Sequence, residues 1–354
     1  MVNMTQFPTH PQNAKRKLTL GFTLVELLLV IFLLSSLALI TTLFVDNADE
    51  QYRFETTKTC LEQIRRAIIG DTSRTLNGQP EISGFVADMG RLPACLRELI
   101  EGKCADSDPN PVAWKRLPFS APPGILGELY GGWRGPYLEA SSEGGGLQAF
   151  RDGWGNQGQL NTPTANDFDG RQFGWRFQLK DQDGNDTADL DAAESLLLQS
   201  LGADFAAGSL DSENPYHADY PSTGNLVNLP DWAMDISGLV FQLQINGVVT
   251  ADQAGMKLRI YYLRDDPAVA GIDVAYTDYF ESIDFSMIAG DSPLLDVSFP
   301  DTNPLLLPTG KHMAVLVCAD NTAYDGECGA SNTPPFTFTF LPRSQLPTIQ
   351  WNIL

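Results

Sequence analysis

The sequence predicts an α+β protein in which a long N-terminal helix precedes a C-terminal part built from strands. Three observations support this class. A predominantly apolar run covers residues 22–45, and the segment 47–69 that follows contains neither proline nor glycine. The last third of the chain alternates between apolar and polar residues, as half-buried strands do. A chain of 354 residues exceeds the usual size of one domain, so two or three folded units are expected.

The charge of the chain excludes one class of partner. Lysine and arginine number 23 against 44 aspartate and glutamate residues, which gives a formal net charge of -21. Such a surface repels phosphate backbones, so no nucleic-acid partner is expected. The sequence contains no nucleophile elbow, zinc-protease or nucleotide-binding motif, so no enzyme and no catalytic residue are predicted.

The N-terminal region predicts a membrane anchor. Residues 1–20 are polar and end in the basic cluster 15–17, directly before the apolar run over 22–45. That run has the length a helix needs to cross a bilayer, and the basic cluster places the first residues in the cytoplasm. Continued to about residue 69, the helix would be about 70 Å long. A cleaved secretory signal would have a shorter apolar core, and a plain signal anchor gives no reason for the carboxylate of Glu26.

The residues around this junction carry a family resemblance. Gly21 and the following residues 22–26 (FTLVE), behind a basic leader, resemble the signal of type IV pilins and type II secretion pseudopilins. The resemblance implies cleavage between Gly21 and Phe22 by prepilin peptidase, with N-methylation of Phe22. It also implies that Glu26 neutralises an N-terminal amine in the filament core, where a paired charge costs less than a lone one.

The same resemblance implies partners and a location. The partners would be prepilin peptidase, other pilin or pseudopilin subunits, and the inner-membrane assembly platform. The protein would be a single-pass protein of the bacterial inner membrane, with its N-terminus cytoplasmic and its C-terminal domains periplasmic or in an extracytoplasmic filament. Glu26 argues against a tip subunit, because the family's tip subunit lacks that residue.

The middle of the chain carries a second resemblance. Residues 133–138 (WRGPYL), 152–156 (DGWGN) and 200–204 (SLGAD) occur in the order found in the head of the major type II secretion pseudopilin. The resemblance implies a small antiparallel sheet, with strands over 175–179 and 195–201. The glycine and aromatic residues of these three sequence motifs are interpreted as turn and core residues that identify a fold.

Calcium is the one cofactor considered for the head. The resemblance implies a calcium site near Asp204, with Asp211 and Asp219 added as candidate ligands because they follow closely. The acidic segment 181–192 lacks the glycine and the final glutamate of an EF-hand, so that motif is rejected. An acidic hairpin turn is the preferred interpretation of this segment, with a calcium loop as the alternative.

Four of the five cysteines form two close pairs along the chain. Cys95 lies near Cys104, and Cys318 lies near Cys328. Their spacing does not suit a zinc site, and an exported protein would form two loop-closing disulfides and leave Cys60 free.

The last third of the chain predicts an all-β domain of the immunoglobulin-like sandwich type. Alternating runs over 239–245, 256–263, 313–319 and 336–341 predict strands separated by turns. Four tyrosines of this part are interpreted as core or cross-strand residues in preference to ligand contacts. These are Tyr261, Tyr262, Tyr276 and Tyr279.

The predicted organisation has four parts: a leader over 1–21, a transmembrane and pilin helix over 22–70, a pseudopilin-like head over 71–225, and a β domain over 231–354. The favoured function is a structural subunit of a type II secretion pseudopilus or type IV pilus-like filament. The alternative is a membrane-anchored adhesin or substrate-recruiting module that acts through the C-terminal β domain. Fold alone does not choose between them.

Overall fold

The computed structural model of the chain describes residues 23–353 with short gaps. The gaps are 72, 77–78, 81, 109, 112, 117–124, 126, 144–147, 157–170, 207, 209–215, 247, 266–274, 291–293, 301–303, 330–333 and 343–347. Side chains are also left undescribed at 40–47, 76, 79–80, 264–265 and 275–277. The predictions for Gly21, Phe22 and Asp211 therefore lie outside the described residues.

The chain forms two compact units, residues 1–51 and 52–354. Helix α1 spans Leu24–Ile69 and contributes to both. It ends where Gly70, at φ 82°, donates its amide to the carbonyl of Arg66 over 2.8 Å. A side chain at Gly70 would collide with the Ser83 carbonyl, 2.2 Å from the ideal Cβ, so the sharp exit requires glycine. Short helices within the described residues are α2 (Phe85–Met89), α3 (Glu98–Glu101) and α4 (Leu229–Trp232).

The middle of the second unit contains short strands. They are β1 (Thr75–Leu76), β2 (Gln79–Pro80), β3 (Lys115–Arg116), β4 (Tyr130–Gly131), β5 (Ser141–Ser142), β6 (Gln148–Ala149), β7 (Arg176–Lys180), β8 (Asp186–Thr187) and β9 (Ser195–Gln199). Strands β7, β8 and β9 form an antiparallel sheet in the order β8-β7-β9. The others pair as two-residue ladders, β1 with β2, β3 with β4 and β5 with β6.

The part of α1 that belongs to the second unit packs on this small sheet. Ile64 and Ile68 of the helix are fully buried in one apolar cluster with Phe85, Trp175 and Leu196. Their spacing of four residues keeps both side chains on one helix face. This shared core fixes the C-terminal part of α1 to the middle segment of the chain.

The last third of the chain consists of strands. They are β10 (Ala233–Asp235), β11 (Val240–Ile245), β12 (Gln253–Asp265), β13 (Ala275–Glu281), β14 (Phe285–Met287), β15 (Leu294–Ser298), β16 (Leu306–Pro308), β17 (Gly310–Val317), β18 (Phe336–Phe340) and β19 (Ile349–Ile353). One sheet has the order β15-β11-β19, with β19 parallel to β11. The other has the order β13-β12-β17-β18, with β14 added on β12, and its pairs are antiparallel.

The two larger sheets enclose a second apolar core. Phe241 of β11, Leu258 of β12 and Leu316 of β17 are buried together in it. The opposite face of the β12–β17 pair is also covered. Leu129, which precedes β4, forms a cluster there with Tyr261 and Met313, so the middle segment packs against the outer face of the sheet.

The predicted fold class is wrong. The protein is mostly β, with 33% of residues in strands and 21% in helices, where an α+β protein with a transmembrane N-terminal helix was expected. Two features of the chain shift this balance. The middle segment contains two-residue strands, which are too short to show alternation in the sequence. Strand β12 has 13 residues, whereas the alternating run over 256–263 predicted a strand of eight. No helix in the described part of the chain is long and apolar enough to cross a membrane, so the transmembrane span predicted over 22–45 is not found.

Candidate functional site

The first turn of α1 holds Glu26 in a local hydrogen-bond pair. The Thr23 amide donates to the Glu26 carboxylate over 3.3 Å, and the Glu26 amide donates to Thr23 Oγ1 over 3.2 Å. This reciprocal arrangement is a capping box, which satisfies amides that the helix itself leaves without partners. Glu26 therefore has a structural role that the sequence analysis did not consider. Any role for its charge must be tested separately from this cap.

The beginning of α1 is apolar on all sides. Ten successive positions from Leu24 to Leu34, apart from Glu26, carry large apolar side chains that are each at least 40% exposed. Leu24 and Phe32 are 75% and 72% exposed. A helix without a polar face is stable in water only when other apolar groups cover it. Among the described residues nothing covers this segment, so it is the strongest candidate for an assembly surface.

Two of the three head motifs, residues 152–156 and 200–204, meet at one buried carboxylate. Asp152, from residues 152–156, accepts hydrogen bonds from Ser200 Oγ and from Asn156 Nδ2, both over 2.5 Å. The neighbouring Gly153 amide donates to Thr57 Oγ1 of α1 over 3.0 Å. The aspartate therefore joins the residue after β9 to the loop that contacts α1. This structural role agrees with the interpretation of these residues as fold determinants.

The calcium candidates are partly brought together. Asp204 is exposed and Asp219 is 6% exposed, and the charge of Asp204 acts on Asp219. Burial raises the pKa of Asp219, although the Gly208 amide bonds its Oδ2 over 2.8 Å and Arg176 lies 3.8 Å away. Its Oδ1 is buried without a hydrogen-bond partner among the described residues. The described residues contain no group of three acidic, histidine or cysteine side chains placed to hold a metal, and Asp211 lies outside them.

The acidic segment after β7 forms a hairpin turn. Asp181 Oδ1 accepts the amides of Asp183 and Asn185 over 3.0 and 2.8 Å, and the segment leads into β8. Here the side chain of an aspartate replaces a backbone acceptor, as is typical of such turns. The preferred interpretation of this segment as a turn agrees with this geometry.

Both expected disulfides are present. Cys95 and Cys104 are joined with Cα atoms 5.9 Å apart, and Cys318 and Cys328 with Cα atoms 6.0 Å apart. Cys60 is a free thiol on α1, and burial raises its pKa, so it is a poor nucleophile.

The tyrosines of the β domain are packed residues. Tyr261 is fully buried, and Tyr262 stacks on Phe280 with ring centroids 4.4 Å apart. Tyr279 is 37% exposed, with the Arg259 guanidinium 4.5 Å from its ring centroid. The side chain of Tyr276 lies outside the described residues. The geometry of these three tyrosines supports their interpretation as core and cross-strand residues.

Sequence reasoning missed a second buried carboxylate and its partners. Asp88 of α2 accepts hydrogen bonds from Tyr137 Oη over 2.8 Å and from Arg134 Nε over 3.1 Å. Burial raises the pKa of Asp88, and these two partners oppose that shift. Arg134 and Tyr137 belong to the residues 133–138 that were noted only as a fold marker. Arg134 and Tyr137 lie 46 and 49 residues after Asp88 in the sequence. No local sequence pattern could therefore indicate that these side chains contact each other.

Comparison with protein-family models, with curated proteins and with solved structures finds no match for this chain. The resemblance to prepilins therefore stays a prediction that rests on the residues themselves.

Proposed function

We propose that this chain is a structural subunit of a type II secretion pseudopilus or type IV pilus-like filament. The observation that carries the proposal is the start of α1, where large apolar side chains from Leu24 to Leu34 are exposed on every side of the helix. Copies of this segment packed against one another would remove that surface from water, at about 25 cal/mol per Å² buried. The segment follows directly on the prepilin-like junction at Gly21 and Phe22.

Assembly requires processing and specific partners. Prepilin peptidase would cleave after Gly21 and methylate Phe22, which leaves an amine close to the carboxylate of Glu26. In a packed filament that carboxylate would neutralise the N-terminal amine of a neighbouring subunit, because a pair of opposite charges in an apolar core is far less costly than one charge alone. Other pilin-like subunits and an inner-membrane assembly platform complete the set of partners.

An extracytoplasmic location of the second unit is part of this proposal. Two disulfides, Cys95–Cys104 and Cys318–Cys328, support it, because such bonds persist outside the reducing cytoplasm.

Substitutions at Glu26 and Thr23 separate the assembly role from helix capping. Glu26→Gln removes the charge but keeps a side chain that can complete the capping box. Thr23→Ala removes the hydroxyl that caps the helix and keeps the charge. We expect Glu26→Gln to abolish filament assembly and Thr23→Ala to permit it, as measured by immunoblotting of sheared filament fractions.

The mass of each variant is the control for this experiment, since both must still be cleaved before assembly can be judged. Normal filaments from cleaved Glu26→Gln protein would contradict the charge role. Equal loss of filaments in both variants would indicate that the start of the helix matters and the charge does not.

A second candidate function is a binding module that the filament displays. The observation that favours it is a cleft, lined by both polar and apolar side chains, between the middle segment and the outer face of the β12–β17 sheet. Deleting the whole β domain is a poor test, because Leu129 packs on Tyr261 and Met313 and would be left exposed. Substitutions inside the cleft leave both cores intact and are therefore the better experiment.

A further inference from the structure

A cleft of about 500 Å³ lies between the middle segment and the β domain. Its volume falls in the range of about 300–1,000 Å³ that is usual for ligand sites. Leu129, Leu263 and Met313 form an apolar base, which continues the cluster that joins the two parts. Two different walls rise from this base, one from the middle segment and one from the sheet.

The wall from the middle segment is aromatic. Trp114 and Tyr130 stack with ring centroids 6.4 Å apart and an angle of 22° between their planes. They keep 37% and 45% of their surfaces exposed. The Arg134 guanidinium lies 4.8 Å from the centroid of the Trp114 ring. Exposed aromatic rings that line a cavity and are ordered by their neighbours are typical of recognition surfaces.

The polar groups of this wall are held in place by their neighbours. Arg134 is fixed by the buried carboxylate of Asp88, and Tyr130 Oη donates to Glu128 over 2.8 Å. Glu128 is in turn paired with Arg116 over 3.0 Å. These groups therefore present donors and acceptors in defined positions, which lowers the entropic cost of binding.

The wall from the sheet supplies hydroxyl groups and one cation. Lys311 of β17 is paired in register with Thr339 of β18, and Met313 with Thr337, so these four side chains share the outer face of the sheet. Lys311, Thr337 and Thr339 are exposed in the cleft. Lys311 makes no ion pair with any residue that the structure describes. On a chain of net charge -21, an uncompensated lysine inside a cleft selects for an anionic group on a ligand.

We propose that this cleft binds a saccharide that carries a carboxylate, such as a uronate unit of a polysaccharide. The apolar face of a sugar ring packs on aromatic rings such as Trp114 and Tyr130, and its hydroxyl groups bond to fixed charged side chains. The carboxylate of the sugar would pair with Lys311. An apolar ligand would cover the ammonium group of Lys311 without giving it an anionic partner, which carries a large desolvation cost. The inference does not depend on the filament role.

The test is binding of the full-length protein to an immobilised panel of uronate-bearing tetrasaccharides, each paired with its methyl ester. The acids are expected to bind at least about fivefold more tightly than their esters, because the ester removes one ion pair. Trp114→Ala is expected to weaken binding of the acids about tenfold or more. Lys311→Gln is expected to abolish the preference for the acid while leaving binding of the esters unchanged.

Tyr279→Ala is the matched control, since Tyr279 is an aromatic residue outside the cleft with the same 37% exposure as Trp114. It should bind as the wild-type protein does. Lys311 is exposed, so its substitution does not threaten folding and keeps the test valid if Trp114→Ala proves unstable. The proposal would be overturned if no acid on the panel bound, if esters bound as tightly as acids, or if Lys311→Gln kept the preference for the acid.

Discussion

Asp219 is a buried carboxylate in an unfavourable position. One of its oxygens has no hydrogen-bond partner among the described residues, and the charge of Asp204 acts on it. Burial raises its pKa, so its charged form costs stability at neutral pH, and this cost grows as the pH rises through the folded-state pKa. A bound cation would remove the cost, which is why the loop remains a candidate for calcium even though Asp211 lies outside the described residues.

The prediction for Asp219 compares calcium with a chelator. Asp219→Asn keeps an acceptor for the Gly208 amide and removes the buried charge, so in chelator it should be as stable as the wild type or about 1 kcal/mol more stable. Millimolar calcium should raise the melting temperature of the wild type and leave that of Asp219→Asn unchanged. Calorimetry of both proteins in both buffers checks this. Equal shifts in the two proteins would place any calcium elsewhere.

His312 predicts an acid-sensitive step in stability. Its imidazole is 2% exposed and bonds through Nε2 to the Pro308 carbonyl over 2.9 Å. Burial lowers its pKa from 6.5 to about 4. The unfolded chain therefore takes up a proton at a higher pH than the folded protein does. The stabilisation from the neutral ring is complete above about pH 6.5 and is lost as the pH falls towards 4.

The difference between the His312 pKa values of the unfolded and folded states sets the size of this effect. It corresponds to a loss of up to about 3 kcal/mol in the free energy of unfolding. Urea unfolding of the wild type and of His312→Gln at pH 7 and pH 4.5 measures it. The variant should lose less stability than the wild type over this interval, since the carboxylates contribute equally to both. A parallel decline in the two proteins would show that His312 is not held neutral.

Among the elements of the second unit, the part of α1 that belongs to this unit makes a tight contact with the loop after β6. An ideal Cβ at Gly153 would lie 2.0 Å from the Arg53 carbonyl oxygen, too close for any side chain. Gly153→Ala should therefore destabilise the protein by about 2–3 kcal/mol. Gly155→Ala is the control in the same loop: Gly155 has φ 71° but no atom within 4 Å, so only the backbone strain of about 1 kcal/mol applies.

Urea unfolding at neutral pH measures both alanine variants. The order of their losses is the decisive result. If Gly153→Ala lowered the free energy of unfolding less than Gly155→Ala does, the loop would be able to move away from α1 and the contact would not be tight.

The sequence predicted elements best where a local pattern was long enough. The alternating runs over 239–245 and 336–341 correspond to β11 and β18. The strand over 195–201, which the pseudopilin resemblance implied, corresponds to β9. Two-residue strands such as β3 and β4 have no period to detect, because pairing with distant residues decides their conformation. For this reason the sequence analysis did not predict the short ladders of the middle segment.

The candidate site was only partly predictable from the sequence. The disulfides followed from cysteine spacing, and Thr23 with Glu26 matches the capping-box pattern, although that pattern was overlooked. The cleft could not be predicted in the same way. Trp114, Arg134 and Lys311 come together only because the middle segment packs on the outer face of a sheet formed much later in the chain.

For the whole molecule, filament assembly depends on removal of the leader that precedes the apolar start of α1. Exposed apolar residues at the start of α1 require a covering partner, and the proposal supplies one through processing and filament assembly. Uncleaved protein would keep residues 1–21 with their basic cluster 15–17 in front of that segment. Three positive charges at this position would oppose its burial in an apolar core.

The most direct test is the intact mass and N-terminal sequence of the protein isolated from cells with and without prepilin peptidase. We expect a mature chain that begins at methylated Phe22 when the peptidase is present and a chain that keeps its leader when the peptidase is absent. A chain that retains Met1 in both strains would contradict processing by prepilin peptidase and filament assembly, and the function would then have to be sought in the cleft.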